Sequence, residues 1–169
     1  DTLCATMSGL SKIYRACGYR VGWVSFSGAT HRAGEYLAAL ELLSSLRLCS
    51  NVPGQWAVQT ALGGFQSIEP LVMPGGRLYQ SRQAVIERVA ASDYLHLERP
   101  MGAMYAFIRL DERFHGKLDD QAFAYELLEK HHILVAPGSS FNTPYKDHFR
   151  ITTLPDTDTI NIVFDRIDS

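Results

Sequence analysis

The chain has 169 residues, 46% of them hydrophobic, enough to bury a real core but too few for more than one or two small domains. Sixteen basic against eighteen acidic residues leave a formal charge of -2 with no long single-sign block, so neither nucleic acid nor an anionic membrane is an expected partner. Three widely spaced cysteines, Cys4, Cys17 and Cys49, point away from a disulfide framework, no apolar run reaches the ~18 residues that span a bilayer, and the amino terminus lacks a signal-peptide layout; the expected setting is the cytoplasm.

The run Leu3-Cys4-Ala5-Thr6-Met7 stops at Ser8-Gly9, the pattern of a buried strand entering a tight loop. A domain rarely begins on a core strand, so the expectation is a piece of a longer chain. Residues 19–26, aromatic and β-branched, predict a second strand ended by Ser27-Gly28. Thr30 then stands where a cap would begin a helix over residues 31–48, in which Tyr36, Leu37, Leu40 and Leu43 recur at helical spacing. Ser50-Asn51-Val52-Pro53 breaks that helix and supplies a cap and an early proline for the next, which runs to about Leu62 and stops at Gly63-Gly64. After Pro74-Gly75-Gly76, the residues Leu78, Val85, Ile86 and Val89 predict an amphipathic helix to Ala91, placed to join two substructures.

Beyond it, residues 94–98 and 104–110 predict strands, and Asp119 or Asp120 caps a helix through Lys130. Residues 133–136 and 149–153 predict two more strands, and Pro155-Asp156-Thr157 opens a final helix. The expected organisation is α/β plus α+β: a βα-rich part over residues 1–72 and a smaller α+β part over residues 73–169, with the seam between Ile68 and Gly76.

Two segments carry chemistry. The first runs from Ser8 to Trp23 and sets Lys12 among small residues with Arg15 and Arg20 nearby. A lysine that forms a Schiff base must be neutral part of the time, which an apolar, close-packed setting and neighbouring cations favour. Serine hydroxyls and glycine amides hold phosphate, and an arginine fork matches its oxygens. On spacing alone, an ordinary solvated lysine at a strand edge remains the commoner reading. The second segment is Asp147-His148-Phe149-Arg150-Ile151-Thr152-Thr153-Leu154-Pro155, an arginine among strand residues. It needs a partner, and a substrate carboxylate or a structural salt bridge to Asp147 would serve equally.

The lysine segment resembles that of the class I and II aminotransferases, which depend on pyridoxal 5'-phosphate (PLP), a likeness that includes the Gly18-Tyr19-Arg20-Val21-Gly22-Trp23 ending. The resemblance implies Lys12 as the catalytic, cofactor-holding lysine and Arg20 as the phosphate ligand. Gly9 stands where many relatives have serine, so phosphate contact there falls to a backbone N–H or to Ser8 or Ser11. The resemblance also assigns Arg150 to the α-carboxylate of the amino-acid substrate. It extends to Ser50-Asn51-Val52-Pro53, Pro100-Met101-Gly102-Ala103-Met104-Tyr105 and Pro137-Gly138-Ser139-Ser140-Phe141. Residues 47–53, 60–64 and 147–155 look most like the alanine aminotransferase branch, which implies alanine and glutamate as amino donors and 2-oxo acids as acceptors.

The same likeness implies a fold-type-I architecture, in which this chain holds the end of the large PLP-binding domain and the small C-terminal domain. It implies a homodimer too, with Ser50 and Asn51 as candidate cross-subunit residues. The family's ring-stacking group and pyridine-nitrogen acid lie upstream of the lysine, so these residues alone are not expected to turn over. Two other readings are a non-catalytic aminotransferase-like domain that binds an effector or partner, and a PLP-dependent β-eliminating lyase. His131-His132 fits a helix end better than a metal site, since adjacent side chains diverge and no acidic or cysteine ligand is suitably spaced. Neither a Ser-x-x-Lys arrangement nor a phosphate-binding glycine loop is present. Trp23, Trp56, Tyr79 and Phe123 are expected in the core.

Overall fold

The computed structural model describes residues 2–169 and divides into two compact units, one ending at Glu69 and one running from Pro70 to Ser169. In the first, β1 (Leu3–Gly9) and β2 (Gly22–Gly28) form an antiparallel hairpin in register from Leu3↔Gly28 to Gly9↔Gly22. The expected start of the second strand is taken instead by a 3-10 turn, Cys17–Tyr19. Gly28 closes the open end at φ +79°, where an added Cβ would lie 2.2 Å from the Thr2 carbonyl oxygen, so only glycine fits. The expected burial of the first strand is corrected: Met7 is 80% exposed, because a two-stranded sheet has no further layer to cover its faces.

Thr30 does not cap the following helix. A 3-10 turn, Thr30–Arg32, intervenes, and α1 (Gly34–Arg47) begins after Ala33 without a side-chain cap. The next helix, α2 (Val52–Gly63), is capped as its sequence requires: the Asn51 side chain accepts from the Gly54 N–H at 3.1 Å, Pro53 sits in the first turn, and Gly64 ends the helix. Trp56 on α2 is 70% exposed, not a core residue, since the face of α2 that carries it is uncovered among the described residues.

The single-turn α3 (Glu69–Val72) leads into the second unit and doubles back through Gly76, whose added Cβ would strike the Pro70 carbonyl oxygen at 2.3 Å. Then follow α4 (Arg77–Ala91), β3 (Leu95–Leu97), β4 (Tyr105–Leu110), α5 (Asp120–His131), β5 (Ala136–Pro137), β6 (His148–Thr152) and α6 (Thr157–Ile167). The strands make one antiparallel sheet in the order β3-β4-β6-β5. Of the strand expected over residues 133–136 only Ala136 pairs; Ile133 and Val135 are buried in the core from a coil segment.

β4 alternates strictly, with Ala106, Ile108 and Leu110 buried and Tyr105, Phe107 and Arg109 partly exposed. The buried set packs with Phe149 of β6, Val85 and Val89 of α4, Ala124 and Leu127 of α5, and Ile160 and Phe164 of α6. Phe123 packs on Phe149 at 5.4 Å between ring centroids. The cap of α5 is Asp119, which accepts from the Gln121 and Ala122 N–H groups, while Asp156 caps α6 through the Thr159 N–H. His131 is the last residue of α5 and His132 its left-handed cap, the helix-end arrangement expected of that pair. Helices thus cover one face of this sheet, and Arg150 stands on the other.

Candidate active site

In the first unit, the loop joining β1 to β2 is pinned by Leu10, which is 1% exposed and whose N–H donates to Val21 O at 3.1 Å. The Ala16 N–H returns to Leu10 O at 3.0 Å and the Arg15 N–H to Lys12 O at 3.0 Å, so the lysine sits in a tight, doubly closed turn. Arg15 and Arg20 both adopt the left-handed region, at φ 54° and 52°. Such residues cost about 1–3 kcal/mol each and concentrate at functional sites. Gly9 and Gly22 face each other at the base of the loop, and an added Cβ on Gly9 would lie 2.9 Å from Val21 O. A side chain at residue 9 would require a local shift of the hairpin backbone, which the glycine avoids.

The close-packed setting expected of Lys12 is corrected. Its side chain is exposed, because the turn directs Leu10 inward and Lys12 outward. Neither arginine is directed at it: Arg15 Nη2 donates to Ser67 Oγ at 2.6 Å, and Arg20 Nη1 folds back on Cys17 O at 2.7 Å. Ser8 and Arg20 are exposed, Ser11 and Gly9 partly so, and no carboxylate pairs with Lys12 or Arg20 among the described residues. Amine, hydroxyls, backbone N–H and guanidinium lie on one hairpin end, a donor set that fits an aldehyde bearing a phosphate. Asn51 is partly consumed by structure, since its Nδ2 donates to Tyr19 O at 3.1 Å while Oδ1 caps α2; Ser50 is exposed.

In the second unit, Arg150 lies mid-strand on β6, opposite Phe107 of β4 and Ala136 of β5. Its guanidinium carbon is 4.4 Å from the ring centroid of Tyr105 and 4.4 Å from that of Phe141, a cation held between two aromatic plates. The Nε is buried and has no hydrogen-bond partner among the described residues. The alternative of a salt bridge to Asp147 does not form, because Asp147 Oδ1 is 2.7 Å from His148 Nδ1 instead. An aromatic-lined guanidinium with donors to spare and no carboxylate of its own can take a carboxylate from outside. Sequence reasoning missed Tyr105 and Phe141 as its plates; the only signal was their place in segments with family resemblance.

Residues 1–167 match the model of the family described as aminotransferase class I and II. The chain belongs to that family. This aminotransferase chain is 43% identical over 162 residues to the glutamate-pyruvate aminotransferase AlaA of Escherichia coli K12, covering 96% of the chain and 40% of the relative. It is 45% identical over 155 residues to the alanine aminotransferase of Mycobacterium tuberculosis H37Rv, covering 92% of the chain and 36% of the relative. Among solved structures it resembles an aminotransferase from Escherichia coli with a TM-score of 0.90 at 42% identity, covering 99% of the chain and 42% of that structure. These relatives place it in the alanine branch of a PLP-dependent family, with a fold-type-I architecture, and it spans well under half of their length.

The plate formed by Phe141 depends on a buried anchor in this aminotransferase chain. Asp120 is 1% exposed and accepts from the Ser139 N–H at 2.6 Å and Ser139 Oγ at 3.1 Å, tying the start of α5 to the 3-10 turn Gly138–Phe141. Asp120→Ala would remove the acceptor of the partly buried Ser139 N–H, a loss of about 1 kcal/mol. Urea unfolding checks this, and an unchanged midpoint would show that the turn holds without the anchor.

Proposed function

We propose that these residues form the C-terminal part of a PLP-dependent transaminase that moves an amino group between an amino acid, alanine or glutamate, and a 2-oxo acid. The single observation that supports the reading best is Arg150: a plate-held guanidinium with an unpaired buried Nε and no carboxylate partner among the described residues. The activities in the names of the AlaA protein and the mycobacterial alanine aminotransferase agree with it.

When bound, PLP would supply the electron sink that the reaction needs. Lys12 Nζ would hold the cofactor through its aldehyde carbon and, when free, would move a proton at the substrate Cα. Arg20, with Ser8 or Ser11 and the Gly9 N–H, would hold the phosphate. Arg150 would take the α-carboxylate through two parallel N–H···O bonds, orienting Cα before any proton moves. The working form would be a cytoplasmic homodimer with Ser50 and Asn51 reaching the neighbouring site. The 169 residues alone would not turn over.

The test is borohydride reduction of the native protein, followed by intact and peptide mass spectrometry and by product analysis. The expected result is a pyridoxyl adduct on Lys12 and a 2-oxo acid formed with the amino group transferred. Released ammonia would turn the reading to β-elimination, and absence of both adduct and product would leave a binding domain without turnover.

A further inference from the structure

The outer face of the second unit's sheet carries a continuous row of contacts that ends on Arg150. Phe141, one of its two plates, meets Phe107 edge-on with ring centroids 6.0 Å apart. Phe107 stacks on the His148 imidazole at 4.9 Å and 23°. His148 is held in turn by Tyr145, 5.0 Å away, and by Asp147 Oδ1, 2.7 Å from its Nδ1. Both side chains of the Asp147–His148 pair are only 15% exposed. An ionised carboxylate only accepts, so Nδ1 carries the hydrogen, and the bond fixes the plane of the ring as well as its tautomer.

We infer that His148, locked by Asp147, is a positioning residue for the Arg150 carboxylate clamp. The inference rests on the reading of Arg150 given above and adds the device that aims it. A guanidinium that must present two parallel N–H bonds tolerates only about 10–20° of misorientation. Its plane is set by the rings on either side, and one of them, Phe141, is set by Phe107. Phe107 cannot tilt while a flat imidazole of fixed plane lies against it. His148 and Arg150 are two residues apart on β6 and share a face, so the row is short and all of it belongs to one sheet surface. His148 itself need not touch substrate.

The experiment uses the full-length PLP-loaded enzyme and two readouts: the KM for amino acid, and the inhibition constant of propionate, which carries the carboxylate without the amine. His148→Leu removes the flat ring and its hydrogen bond. The expected result is a rise of about five- to tenfold in both constants with kcat within about twofold, and no further rise when His148→Leu is added to Arg150→Ala. Should His148→Leu fail to fold, Asp147→Ala reports the same loss of the lock. Asp147→Asn keeps an acceptor for Nδ1–H and should recover most of what Asp147→Ala loses. Additive effects in the double variant, or a fall in kcat with unchanged propionate inhibition, would overturn the positioning role while leaving the Arg150 clamp intact. Propionate inhibition unaffected by Arg150→Ala would overturn the clamp and this inference together.

Discussion

Transamination by the full-length Lys12→Ala enzyme is expected to fall by at least about 10⁴-fold, the scale set by removing a positioned general base that is also the nucleophile. No other lysine stands on the loop between β1 and β2 to replace it. The loss would be chemical rather than structural. The Lys12 side chain is exposed and makes no hydrogen bond among the described residues, so its truncation should change stability by no more than about 0.5 kcal/mol. The discriminating measurement is single-turnover formation of 2-oxo acid from alanine, with the unfolding midpoint recorded in parallel. Retained phosphate binding through Arg20 and the loop hydroxyls would show as PLP that stays with the protein but is released by dialysis. Turnover close to that of the parent enzyme would remove Lys12 from the mechanism.

Arg150→Ala should act on binding. Truncating one side of a desolvated, charge-assisted pair costs roughly 2–5 kcal/mol, so the KM for both amino acid and 2-oxo acid should rise by about 100-fold, with a smaller change in kcat. Both substrates should be affected alike because each carries the same α-carboxylate. Arg150→Lys keeps the charge but not the planar fork or its stacking between Tyr105 and Phe141, and should recover only part of the affinity. Steady-state kinetics with alanine and glutamate varied separately provides the check. A defect confined to one substrate would move Arg150 from the shared carboxylate to that substrate's side chain.

Both candidate sites stand out in the sequence as motifs, and much of the scaffold as local chemistry. Asn51 and Asp156 cap the helices that their segments announced, and of the two candidates Asp119 and Asp120 the structure uses Asp119, because a short polar side chain before an apolar helical repeat satisfies the first backbone N–H groups. The strand expected over residues 104–110 forms as β4, and the structure adds which of its faces is buried, since side chains two apart share a side. Thr30 failed as a cap because a 3-10 turn intervened, and a turn's hydrogen bonds leave no signature in apolar spacing.

What stayed hidden were relations between distant residues. Sequence proximity suggested that Asp147 would pair with Arg150, yet Asp147 bonds its immediate neighbour His148. Along an extended strand, residues three apart point to opposite faces, which leaves Arg150 out of reach of Asp147. The plates on Arg150 come from Tyr105 on β4 and from Phe141 in a turn anchored by Asp120 on α5, three elements gathered by the antiparallel register. The exposure of Lys12 followed from which side of a loop Leu10 occupies, a choice made by hydrogen bonds from Leu10 to Val21 and from Ala16 to Leu10. By itself, then, the sequence determined most of the helices and three of their caps, and it singled out the lysine and arginine as candidates, because those depend on residue type and local spacing. Only the tertiary structure decided what surrounds each of them, because burial and pairing are properties of faces brought together across the chain.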